Sequence, residues 1–262
     1  MVGHLLIRGM LVGLVAGLLC FGFLKVAGEP SVDRAIAFET VQDAAKDKAK
    51  ADEAVAKGMP MPAEGGAYEL VSRRVQAGAG LFTGVMVYGA AFGGLFALAY
   101  ALAHGRMGSF GPRATSALLA SAGFVAVYVV PSLKYPANPP SIGAPDSIGL
   151  RTAFYFAMIA LSLAAMIGAG TLRLRLDRRL GGWNASLAAG AAYAIAMIAA
   201  ALALPVVNEV PDQFPAVVLW QFRIAAMGGQ LVLWTTLGLA FGALTERAAA
   251  RQGAPRLGAK AF

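Results

Sequence analysis

The residues from which most soluble enzymes build their sites are scarce in this sequence. Only 14% of its 262 residues are charged, against roughly 25% in an ordinary globular domain, and 58% are hydrophobic. It has two histidines, His4 and His104, and one cysteine, Cys20. Two histidines cannot make a His-rich metal trap. A lone cysteine excludes a disulfide framework, a CxxC redox pair and a cysteine zinc site. Gly78, Gly80 and Gly84 fall within an apolar run with no GK[ST] after them, so a P-loop is excluded. Paired DxxxD-like carboxylates are missing from the apolar runs, which argues against a membrane-embedded lipid or prenyl enzyme. No enzymatic role is expected.

Apolar sequence is what the chain has in abundance, with a mean hydropathy of +0.65. A bilayer-spanning helix needs about 20 predominantly apolar residues. Six segments qualify: 5–27, 75–103, 114–133, 152–172, 183–207, and a sixth within 214–245. The expected fold is all-α, a polytopic transmembrane helix bundle forming one integral membrane domain over 1–262. Arg8, the following apolar stretch and Val26-Ala27-Gly28 also loosely match a cleavable signal peptide, whose removal would leave five spans. The formal net charge of +8 does not indicate a nucleic-acid partner, because the basic residues sit in short segments between apolar runs. The bilayer is the partner they address.

Orientation follows from those segments. With the N-terminus inside, the inner connections and tail carry ten Lys and Arg: Arg106, Arg113, Arg173, Arg175, Arg178, Arg179, Arg247, Arg251, Arg256 and Lys260. The short outer connections carry two, Lys134 and Arg151. The positive-inside rule then puts both termini in the cytoplasm. Nine of the fourteen acids lie between Glu29 and Glu69, in an outer loop at about 28–74. Its 33–57 stretch is rich in Ala, Lys, Asp and Glu, mostly good helix formers apart from Asp, and is expected to be a solvated helix ended by Gly58 and Pro60. Metal capture by Met59 and Met61 is a sharper reading of the residues after it. The tail at about 247–262 is expected to be basic and disordered.

Glycines recur at four-residue spacing: Gly9, Gly13 and Gly17; Gly80 and Gly84; Gly89 and Gly93; Gly238 and Gly242. Such faces let helix backbones approach closely in a bilayer. They suit a compact bundle, and a homo-oligomer is left open.

Three polar segments, 28–39, 133–151 and 205–215, all fall on the expected outer side, and each contains proline. Prolines release carbonyls from helical pairing, and carboxylates beside such carbonyls offer the oxygen ligands that hard and borderline divalent cations accept. The candidate metal ligands are Glu29, Asp33, Asn208, Glu209 and Asp212. Solvation, or pairing with Lys25, Arg34 or Lys134, is the plainer reading of these acids. Asn138, Arg223 and Gln230 are pathway or gating candidates. Arg223 lies either within the sixth span, where a lone cation needs a partner such as Glu29, Glu209 or Asp212, or at the outer interface if the span begins at Ile224. Trp220, Arg223, Met227, Gln230 and Trp234 share one helical face. His104 borders an inner span end, where an interfacial position or a metal exit are both conceivable.

At these same outer segments the sequence resembles the CbtA family of predicted cobalt transporter subunits. The resemblance is carried by GEPSVDRAIAFE at 28–39, VYVVPSLKYPANPPSIGAPDSIGLRTAFYF at 127–156 and PVVNEVPDQFPAVVLWQFR at 205–223. It implies a multi-pass subunit of cobalt uptake in a bacterial inner membrane, with Co²⁺ as transported ion and no permanently bound cofactor. It also implies a small His-bearing single-span partner, CbtB, which accounts for the scarcity of histidine here. A non-transporting scaffold or accessory subunit for another transporter component is the alternative.

Overall fold

The computed structural model describes residues 2–60, 71–140, 142–143 and 145–253, which form helices and connections with no strand among them. The helices are α1 (Val2–Ala27), α2 (Glu29–Ala56), α3 (Arg73–Ala103), α4 (Pro112–Lys134), α5 (148–180), α6 (182–203) and α7 (Ala216–Arg251). All except α2 are long and apolar enough to cross a membrane, once α5 and α6 are separated. The chain is a multi-pass membrane protein.

α5 and α6 run on as one 56-residue helix, Ile148–Ala203, broken at Gly181 where φ is 73° and ψ 158°. This backbone conformation is essentially open only to glycine. The chain reverses there. Ser162 and Tyr193 hydroxyls lie 2.8 Å apart, and Arg173 Nε donates to Ser186 Oγ at 3.0 Å, pairs that fit two antiparallel helices. The basic stretch expected as a connection is helical instead. Leu and Arg from Leu172 to Leu180 are good helix formers, and nothing before Gly181 interrupts them.

The bundle is organised by glycine. α1 and α3 cross antiparallel with backbones touching: a Cβ on Gly13 would lie 2.0 Å from the Gly89 carbonyl oxygen, and one on Gly9 2.2 Å from that of Gly93. Against α4, Gly238 and Gly242 of α7 lie opposite Ala120 and Ser116, and Ser116 Oγ donates to the Gly238 carbonyl at 2.8 Å. Gly84 faces open space, so that spacing marks no contact. Phe96 and Tyr100 of α3 and Trp234, Leu237 and Phe241 of α7 fill the centre, with Phe96 and Phe241 edge to face at 5.5 Å. Outside this core and two smaller buried clusters, many large apolar side chains face outward, Leu11 at 58% and Leu202 at 82% exposure. A bilayer covers such a surface without the cost water would impose.

α2 follows α1 after the single residue Gly28, with Pro30 in its first turn. A proline there lacks only an N–H that has no helical partner, so Pro30 starts a helix and releases no carbonyl. Ala35 and Phe38 then pack on Ile142, Val210, Phe214 and Val218, which ties α2 to the start of α7.

Candidate functional site

The antiparallel helices bring the three proline-containing segments to one end of the bundle, the Glu29 end. There each of the better-shielded carboxylates meets an arginine. Arg73 Nη2 contacts Glu29 Oε2 and also lies 2.9 Å from Asp33 Oδ1, to which its Nε donates at 3.0 Å. Arg151 Nη1 donates to Glu209 Oε2 at 2.6 Å, and Ser147 Oγ donates to Glu209 Oε1. Glu29 and Glu209 side chains are only 13% and 11% exposed, so these pairs are held largely out of water, where an unpaired carboxylate is costly.

The remaining candidates are placed differently. Asp212 is exposed and forms no ion pair among the described residues. Asn208 is exposed and its Oδ1 accepts the Val210 N–H at 3.4 Å, a local turn. Arg223 lies within α7, one of the membrane-length helices. Its partners are neutral: Nη2 donates to Asn138 Oδ1 at 3.0 Å and Nε to the Ala137 carbonyl at 3.3 Å. Among the described residues no carboxylate pairs with it. Nor do three or more His, Cys, Asp or Glu side chains converge there in a metal-holding group. Met61, Arg256 and Lys260 lie outside the described residues.

Several carbonyls of the proline-containing segments are engaged by side chains. Besides Ala137, the Pro205 carbonyl accepts the Tyr135 hydroxyl at 2.7 Å. Burial pushes the Tyr135 phenol up. Lys25 Nζ reaches the Ala77 carbonyl at 2.9 Å. Salt bridges and carbonyl contacts together tie the segments of this end to one another.

Two cavities lie at this end. The larger, about 370 Å³, is lined by residues of α1, α3, α4 and α7, Cys20, Tyr88, Tyr128 and Gln230 among them, and by Gly28 and Glu29. From Gly28 to Cys20 is about 12 Å along α1. Cys20 Sγ points at the Gly229 carbonyl, 3.6 Å away, and Gln230 and Tyr88 line the same cavity. The second cavity, about 230 Å³, is lined by Tyr128, Tyr135, Asn138, Arg151 and Tyr155 among others. Tyr128 and Ala137 border both cavities. Tyr128 lies in the π turn Phe124–Val129 of α4, which ends just before Pro131. Of the shared face on α7, Gln230 lines the larger cavity, Trp234 is buried in the core and Trp220 is exposed.

The arginine partners were not singled out from the sequence, nor were the tyrosines. A signal for Arg151 exists: it is one of only two basic residues in the short connections expected outside, a position that asks for a local reason. Tyr88 and Tyr128 carry no such mark.

His104 lies at the opposite end of the bundle, its ring stacked on Tyr100 and Nδ1 3.2 Å from the tyrosine hydroxyl. A family model described as "Probable cobalt transporter subunit (CbtA)" matches residues 2–246 of the chain. No curated protein and no solved structure matches it.

Proposed function

The chain belongs to the CbtA family of probable cobalt transporter subunits, and we propose that it is the cation-admitting membrane subunit of a bacterial cobalt uptake system. Membership in a transporter-subunit family supports a role in membrane transport, with cobalt as cargo and a further component implied. The finer reading is ours. Both termini are cytoplasmic, the protein sits in the inner membrane, and the Glu29 end faces outward.

The observation that carries this reading is the larger cavity, whose lining brings together Glu29, Tyr88, Tyr128 and Gln230. Glu29, Asp33, Glu209 and Asp212 concentrate cations at the outer face, and Asp212 is the one open to solvent. A divalent ion competes with Arg73 and Arg151 for their carboxylates. Carboxylate, Asn138, Asn208 and the Ala137 and Pro205 carbonyls then replace part of its water shell. Arg223, held by Asn138 and Ala137, sets an electrostatic barrier that falls only when the 135–140 segment moves. Inward movement of two charges is favoured by about 4.6 kcal/mol at 100 mV, taking roughly 2.3 per charge.

A second reading is supported by the lack of a converging group of metal-binding side chains among the described residues. On that reading the chain is an accessory scaffold, and a small His-bearing CbtB-like partner supplies the ligands. The two are separated by replacing Glu29 and Glu209 by Gln and Asp212 by Asn together. The admitting subunit loses most cobalt accumulation at normal protein abundance. Full accumulation by the triple variant contradicts the carboxylate entrance and favours the scaffold.

A further inference from the structure

At the Arg8 end of the bundle a cavity of about 440 Å³ is lined by Arg8 of α1 and by Leu244, Arg247, Ala248 and Arg251 of α7. Three guanidinium groups line it and no carboxylate does. Arg247 and Arg251 are four residues apart on one helical face, a spacing at which like charges repel. Neither forms an ion pair among the described residues. Glu246, the neighbouring acid, is turned to Arg113 of α4, 2.5 Å from its Nε. Arg8 Nη1 donates to Thr245 Oγ1 at 3.2 Å, which fixes its side chain and leaves other N–H groups of its fork free to donate. Among the described residues, then, no carboxylate balances these three guanidinium groups.

We propose that this cavity binds the phosphate group of an anionic phospholipid. Guanidinium forks match phosphate oxygens bidentately. The depth is right for a lipid. Arg8 and Lys25 are 17 residues apart in α1, about 26 Å, close to the roughly 30 Å thickness of a hydrocarbon core. Arg8 thus lies near the edge of the hydrocarbon core, from where its guanidinium snorkels toward the lipid phosphates. The lining is amphiphilic as well: Leu244 and Ala248 are apolar, and Leu11, about one turn from Arg8 toward the bilayer centre, is largely exposed. An acyl chain fits against Leu11 and Leu244, which a free inorganic anion would leave bare. The site is separate from the Glu29 end and does not depend on the cobalt reading.

The test is a titration of the purified, detergent-solubilised chain with phosphatidylglycerol, followed by the thermal midpoint. Phosphatidylcholine serves as zwitterionic control and sodium phosphate as free anion. Phosphatidylglycerol raises the midpoint and phosphatidylcholine does not. Each arginine removed weakens half-saturation by about fivefold, from roughly 1 kcal/mol per basic residue near an anionic surface, so Arg247→Gln/Arg251→Gln weakens it by about 25-fold. Arg34→Gln, at the opposite end of the bundle, leaves the titration unchanged. A shift with millimolar phosphate alone keeps the three arginines as a phosphate site but makes the ligand a soluble anion. Should the double variant unfold, Arg8→Gln and native mass spectrometry of retained lipid give the same comparison. An undiminished phosphatidylglycerol response in both variants, or an equal response to phosphatidylcholine, overturns the proposal.

Discussion

Individual side chains decide what the Glu29 end can do. Glu209 is held by Arg151 and Ser147 and is mostly shielded from water. Replacing Arg151 by Gln leaves that carboxylate short of a charged donor, at a cost of about 1–3 kcal/mol. Thermal unfolding in detergent detects this as a lowered midpoint, and isothermal titration with Co²⁺ reads the freed carboxylate as tighter binding than in the parent chain. Unchanged cobalt binding would mean that Arg151 does not compete with the cation. Glycine is decisive in the same way. Gly13→Ala drives a methyl into the Gly89 backbone, and its destabilisation exceeds the roughly 1–3 kcal/mol of ordinary overpacking because backbone cannot rotate aside. Gly84→Ala, with nothing nearby, leaves the midpoint unchanged or slightly higher. The sequence spacing presents Gly80 and Gly84 as equal to the others, since a four-residue interval does not tell which face meets a neighbour.

At the scale of elements, the membrane-length helices were legible because apolar length is a direct physical requirement. The 75–103 segment corresponds to Arg73–Ala103 within two residues at its start. The 114–133 segment corresponds equally well to Pro112–Lys134. Less legible was the way the fourth and fifth segments join. Four arginines read as a loop, yet helix propensity carries α5 through them and only Gly181 reverses the chain. Gly181→Ala therefore costs about 1–3 kcal/mol through its positive φ, measured as a lower midpoint, whereas Gly168→Ala, in open space within α5, does not. The start of α2 was set at Asp33 from composition and lies at Glu29, because Pro30 is preorganised for a first turn. Phe38→Ala removes the edge-to-face contact with Phe214 at 5.0 Å. Losing that half-buried ring costs about 1–3 kcal/mol, less than for a fully buried Phe, and limited proteolysis then cuts α2 faster.

The molecule as a whole has two unlike ends joined by a glycine-packed apolar bundle. One gathers carboxylates already answered by Arg73 and Arg151, above cavities lined with tyrosine, glutamine and asparagine. The other gathers arginines, of which Arg247 and Arg251 have no carboxylate partner among the described residues. The sequence supplied the carboxylates of the first end and its proline-containing segments, because polar residues beside apolar runs stand out. It did not supply their arginine partners, since a salt bridge between Glu29 and Arg73 or between Arg151 and Glu209 spans more than forty residues and has no local pattern. Those pairs bear on the central claim, that the chain admits cobalt through the Glu29 end. The most direct measurement is accumulation of labelled cobalt in cells lacking their own uptake, expressing the chain with and without a CbtB-like partner at verified membrane abundance. The account predicts accumulation that depends on this chain, is competed more weakly by magnesium than by nickel, and falls most of the way to background in the Glu29, Glu209 and Asp212 triple variant. Accumulation by the partner alone at the level of the pair would contradict it and leave the chain a scaffold.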